Sequence, residues 1–80
     1  MYKEFTKQGY KIVERGSYIT SWVSNRVPFV IFYREKLNDY NIALNYCYED
    51  GTWAQGIYEF RTIGNALDYL KETKQKVITY

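Results

Sequence analysis

The sequence holds no histidine, one cysteine, one proline and five glycines in 80 residues. Without imidazole, the commonest general base is missing, and with it the usual nucleophile–base pairs and most catalytic zinc sites. Cys47 has no second cysteine to pair with inside the chain, and it reads as a buried, inert thiol. A small domain without cross-links fits a cytoplasmic setting. The glycines are scattered, and no phosphate-cradling motif is formed from them. Long apolar runs are missing too. The longest candidate, Val27–Tyr33, is interrupted by Pro28 and falls far short of the roughly 20 residues a spanning helix needs. No membrane association is expected. The first residues lack the basic-then-apolar pattern of a secretory leader.

Acids are present but badly placed for catalysis. Glu49 and Asp50 sit at a turn, Glu35 and Asp39 flank another, and Asp68 and Glu72 fall on the polar side of a helix. An acid pair works in a cleft, and a core this small leaves little room for one. No acid cluster matches a calcium loop. The expectation is therefore a protein without catalytic, cofactor-binding or metal-binding residues, and not an enzyme.

What the chain has in quantity is aromatic side chains: ten Tyr, four Phe and two Trp. Each buries a large area, which suits a short chain that must fold around one modest core. The net charge is only +2 and the hydrophobic share is 46%, which argues against disorder. Residues 1–80 read as one domain with no linker, repeat or low-complexity tract. Tyr, Asn, Lys and Ile, favoured by AT-rich coding, are abundant, which points to a bacterial or phage source.

The chain is organised around Asn41–Leu70. Asp50-Gly51 lies between two apolar runs, and this pair is a strong signal for a two-residue hairpin turn. On that pairing Glu49 faces Thr52, Leu44 faces Ile57 and Ile42 faces Glu59, and Cys47 stands opposite Ala54. One face then carries Ile42, Leu44, Tyr46, Tyr48, Trp53 and Ile57, and is expected to meet the core. Asn41 and Asn45 lie on the other face and need water or partners. Gly56 marks a candidate bulge that would turn Tyr58 and Phe60 inward. A helix follows, with Thr62 as N-cap and Ile63, Ala66, Leu67 and Leu70 on one stripe. That stripe must pack on a sheet face.

Upstream, Met1–Gln8 reads as a mobile arm or a short helix. Tyr10–Arg15 alternates as a first strand, Gly16-Ser17 as a turn and Tyr18–Val23 as a second strand. Phe29–Arg34 is apolar on both faces at its centre, which places it centrally in the sheet, paired with the next strand. Residues 77–80 suit an extension of the helix, a short edge strand or a frayed end; Val77 continues the helix stripe, so fraying just beyond it is the favoured expectation. The fold class is α+β: an antiparallel meander of four to five strands with one C-terminal helix on one face.

One pattern bears on function. Gly16–Arg34 contains no acid and gathers arginines with aromatics. Tyr18, Trp22, Arg26, Tyr33 and Arg34 form the candidate binding surface. Single-stranded nucleic acid is bound by such basic and aromatic faces, but Tyr and Trp also anchor protein interfaces. The charge of +2 is far below that of a strongly basic domain. The leading expectation is a non-catalytic binding module that acts through a protein partner, as a phage-type or regulatory factor. The alternative is a single-stranded nucleic-acid-binding protein.

Overall fold

A computed structural model describes residues 10–20 and 25–80. The expected arm Met1–Gln8, and Trp22 and Val23 of the expected second strand, lie outside the described residues. The elements are β1 (Tyr10–Ile19), β2 (Val27–Arg34), β3 (Asp39–Leu44), β4 (Gln55–Phe60), α1 (Ile63–Thr73) and β5 (Gln75–Thr79). They form one antiparallel sheet in the order β4-β3-β2-β1-β5, with α1 packed on it. The α+β meander is as expected, and the apolar strand β2 takes the central place.

Two cores result. On the helix side Tyr18, Phe29, Ile31, Ile42 and Leu44 meet Ala66 and Leu70, with Ile63 and Leu67 packed against them. The helix stripe thus faces the sheet. Its N-terminus is closed by Thr62, whose Oγ1 accepts the Asn65 N–H at 3.0 Å. On the opposite face Val30, Phe32, Ala43 and Tyr46 are buried, with Tyr10, Ile12, Tyr48 and Trp53 packed against them. A short chain rich in aromatics thereby buries both sides of β2, where Phe29, Val30, Ile31 and Phe32 are all fully enclosed.

Three sequence-based expectations are corrected. Gly16-Ser17 is no turn: β1 runs through it without a break. Gly16 serves close approach instead. A Cβ there would collide with the Ile78 carbonyl and lie 2.6 Å from the Phe29 ring. Residues 77–80 do not fray as a tail. Gly16 pairs with Thr79 and Ser17 with Ile78, and the Tyr80 N–H reaches the Arg15 carbonyl at 2.9 Å. The β1 ladder offered a better use for these backbone groups than another helical turn. Only Val77 of this strand packs on the core.

The third correction is the register of the β3–β4 hairpin. Cys47 pairs with Thr52, Leu44 with Gln55 and Ile42 with Ile57, two residues away from the expected partners. The loop is wider because Asp50 bonds forward. Its Oδ1 accepts from the Thr52 N–H at 3.2 Å and the Thr52 hydroxyl at 2.6 Å, and between Cys47 and Thr52 Gly51 alone takes a positive φ, of 72°. A two-residue turn needs positive φ at Asp50 as well. A shift of two preserves the faces, so Ile42, Leu44 and Ile57 still meet the core below the helix. Asn45, at φ 55°, then reverses the facing of the chain. Tyr46, Tyr48 and Trp53 consequently join the second core, on the opposite side from Leu44. Cys47 is half-buried rather than buried.

Candidate functional site

The four described residues of the expected binding surface, Tyr18, Arg26, Tyr33 and Arg34, do not come together. Tyr18 is 4% exposed and belongs to the helix-side core, where its ring lies 6.3 Å from that of Phe29. Burial holds its phenol above the ordinary value. It is a core ring, not a free stacking surface. Trp22 lies outside the described residues. Arg26 is exposed, but its guanidinium is bound: Nε donates to the Ser17 hydroxyl at 2.6 Å, and Nη2 donates to the Ser17 and Lys76 carbonyls. It ties β5 to β1. Tyr33 donates its hydroxyl to Asn38 Oδ1 at 2.6 Å and packs its ring 5.1 Å from Tyr40.

Arg34 lies on β2 next to Tyr33, so its side chain takes the other face. It makes a two-pronged pair with Asp39: Nε to Oδ1 at 2.8 Å and Nη2 to Oδ2 at 2.6 Å. The side chains are 15% and 14% exposed, so water screens the pair poorly. The Arg34 bonds hold the Asp39 carboxyl below the usual carboxylate range, against the opposing effect of burial. The same bonds raise the guanidinium above its ordinary value. Tyr58 covers Arg34 with its ring centre 5.5 Å away. Arg34 faces Tyr10 at one end of the β1–β2 ladder, and Tyr18 faces Val27 at the other. At about 3.3 Å per residue, roughly 20 Å of strand separates the two groups.

A polar network missed in the sequence continues from Asp39. Asn41 is fully buried; its Nδ2 donates to Asp39 Oδ1 at 3.2 Å, and its Oδ1 accepts the Glu59 N–H at 3.1 Å. Glu59 sits at φ 73°, at the irregularity where Tyr40 pairs with Phe60 but Ile42 with Ile57. The β4 bulge is therefore at Tyr58–Glu59, not at Gly56. Phe60 turns inward as expected, whereas Tyr58 stays 49% exposed with its ring over Gly56. A cleft of 450 Å³ opens beside this network, lined by Leu37, Asn38, Asp39, Glu59 and Arg61. Its lining mixes both charge signs, and Asp39 is already neutralised by Arg34. The opposite charges of Arg34 and Asp39, facing each other at the mouth of a turn, were the available sequence signal.

A second exposed surface lies at the other end of the sheet order. Ile78 is 47% exposed and Tyr80 70%. They are two residues apart, so they stand on one side of β5. The Tyr80 N–H and the Lys76 carbonyl point toward β1 and its neighbour Arg26. Alternation along an antiparallel strand then turns the N–H and C=O of Thr79 away from β1, whereas at Lys76–Val77 the register against β1 shifts, with Lys76 at φ 51°. Lys71, Lys74 and Lys76 lie close by in sequence, with Glu72 the acid among them. Lys74 caps α1, its N–H on the Leu70 carbonyl, and its ammonium lies 5.5 Å from the centre of the Tyr18 ring. That contact places Lys74 on the helix side of the sheet.

Among the described residues, no three Cys, Asp or Glu side chains gather as metal ligands would, and no helix is long and apolar enough to cross a membrane. Comparison with known proteins finds no matching family model, no similar curated protein and no similar solved structure.

Proposed function

We propose that this chain is a non-catalytic binding module that acts through a protein partner, as a small regulatory factor of bacterial or phage type in the cytoplasm. The observation that carries this reading is the pair Ile78 and Tyr80, two large apolar side chains exposed side by side on an edge strand. Apolar side chains gathered on an edge strand fit a partner surface, and tyrosine is a favoured anchor at protein interfaces. The arginines expected to hold phosphate support the same choice. Arg34 is committed to Asp39, and Arg26 to Ser17 and Lys76. A nucleic-acid face needs such groups free to neutralise phosphates.

The test uses the intact chain and the variant Ile78→Ser/Tyr80→Ser. The two should melt at similar temperatures, because both side chains are exposed. A protein captured from the native host by the intact chain and lost with the double variant supports the reading. Equal capture by both refutes it. So does quenching of Trp53 fluorescence by a mixed single-stranded oligonucleotide at low salt, weakening steeply as salt rises.

A further inference from the structure

Independently of the protein-partner reading, we infer that the cleft between the β2–β3 turn and the end of β4 binds a small aliphatic zwitterion of the amino-acid type, with its carboxylate on Arg61 and Asn38, its ammonium on Glu59 and its apolar side chain on Leu37. The cleft has a volume of 450 Å³, and small-ligand sites span about 300–1,000 Å³. One wall is the turn, with Leu37, Asn38 and Asp39; the other holds Glu59 at the end of β4 and Arg61 just beyond it. A single buried side chain joins the two walls. Asn41 Nδ2 donates to Asp39 Oδ1 on the first, and Asn41 Oδ1 accepts the Glu59 N–H on the second. Arg34 holds Asp39 through its two-pronged bond, and the Asn38 N–H is fixed on the Arg34 carbonyl at 2.8 Å. The backbone on both sides of the cleft is therefore set before a ligand arrives, and this lowers the ordering cost of binding.

The lining groups define the occupant. Asp39 is neutralised by Arg34 and adds little net charge. Glu59 and Arg61 differ from it. Both are exposed, and among the described residues neither side chain makes a hydrogen bond or an ion pair, not even with the other. Two opposite charges that line one cleft without satisfying each other complement a ligand that carries both signs. Asn38 adds a directed donor. The Tyr33 hydroxyl donates to its Oδ1 at 2.6 Å, which leaves the Nδ2 protons for an acceptor on the ligand. Arg61 and Asn38 thus suit a carboxylate, and Glu59 suits an ammonium. Leu37, 62% exposed on the turn, supplies apolar surface beside them. A simple anion would meet Glu59 uncompensated, a simple cation would meet Arg61, and a neutral molecule would leave both unused.

The probe is free leucine, titrated into the full chain and read by two-dimensional NMR of the backbone amides and the Asn38 side-chain amide. N-acetylleucine lacks the ammonium, and leucinamide lacks the carboxylate. Leucine should shift the signals of Leu37, Asn38, Glu59 and Arg61. Each blocked analogue should bind about threefold to tenfold more weakly, the equivalent of one charged hydrogen bond near solvent. Glu59→Gln should erase the preference for leucine over N-acetylleucine and keep that over leucinamide; Arg61→Gln should do the reverse. Both side chains are exposed, so both variants should melt like the wild type. Absence of shifts at the cleft, equal binding of the three ligands, or folded variants that keep both preferences overturn the inference. Ile78→Ser/Tyr80→Ser should bind leucine like the intact chain, because β5 lies at the opposite edge of the sheet. Leucine binding lost in that variant overturns the inference too, whereas partner capture lost in it bears on the protein-partner reading alone.

Discussion

Gly16→Ala is the sharpest perturbation of the β1–β5 packing. The added Cβ would lie 2.6 and 2.8 Å from two ring atoms of Phe29 and collide with the Ile78 carbonyl. Comfortable carbon contacts are about 3.5–4.0 Å, so the ring must retreat by roughly 1 Å. Phe29 is fully buried and has no water to swing into. Overpacking of this kind costs about 1–3 kcal/mol. Against it stands a gain of about 0.5–1 kcal/mol, because glycine is a poor residue in the middle of a strand. The net expectation is a loss of about 1–2 kcal/mol. For a domain of this size that lowers the melting temperature by roughly 5–15 °C.

A urea or thermal melt measures the loss, and amide hydrogen exchange locates it. The cheaper relief is for β5 to peel from β1, because only Val77 holds β5 on the core. The Tyr80 amide, bonded to the Arg15 carbonyl, should then exchange faster, while amides of β2 and β3 keep their protection. Unchanged stability would refute the packing argument. A loss of stability without faster exchange at Tyr80 would refute the placement of β5 against Gly16.

Leu70→Ala removes a fully buried side chain between α1 and the sheet and should cost about 2–5 kcal/mol in a denaturant melt, with Leu67→Ala costing less because Leu67 is only half-buried. Asp39→Asn breaks the two-pronged bond to Arg34 and should cost about 1.5–3 kcal/mol at neutral pH, in the range of hydrogen bonds to charged groups. The folded protein holds the Asp39 carboxyl below its unfolded value. Its contribution is therefore complete above the unfolded value of about 4 and is lost as the pH falls through the folded value. The stability gap between the wild type and Asp39→Asn should close on acidification below about pH 4; a gap that stays constant would mean the pair is not the source.

Residues whose local chemistry agrees with their tertiary place were legible in the sequence. The stripe Ile63, Ala66, Leu67 and Leu70, the Thr62 cap and the doubly apolar centre of β2 each specify one environment, and the structure supplies it. Legibility failed where a short-range signal had two uses. Gly16 fits a turn or a close approach, and only the distant Ile78 carbonyl decides which. Asp50-Gly51 marks a turn in either loop length, and the bond from Thr52 to the Asp50 side chain selects the longer one. Tyr18 and Arg34 carry the chemistry of a binding face, but burial and a facing carboxylate remove both from that task. Such removals depend on residues far away in sequence or across a turn, which composition and alternation do not encode.

The buried Asn41 connects the Arg34–Asp39 pair to the shape of β4. An amide side chain at full burial is costly unless its groups are paired, and replacing it with an apolar residue would suit the core better. Its bonds show what it secures instead. Nδ2 donates to Asp39 and so joins the Arg34 pair, while Oδ1 captures the Glu59 N–H and holds the backbone there in the left-handed region. A non-glycine residue in that region persists only where its surroundings enforce it. Asn41 supplies the enforcement, and the result is a bulge that interrupts the β3–β4 ladder at Tyr58–Glu59 and lets Phe60 turn to the core.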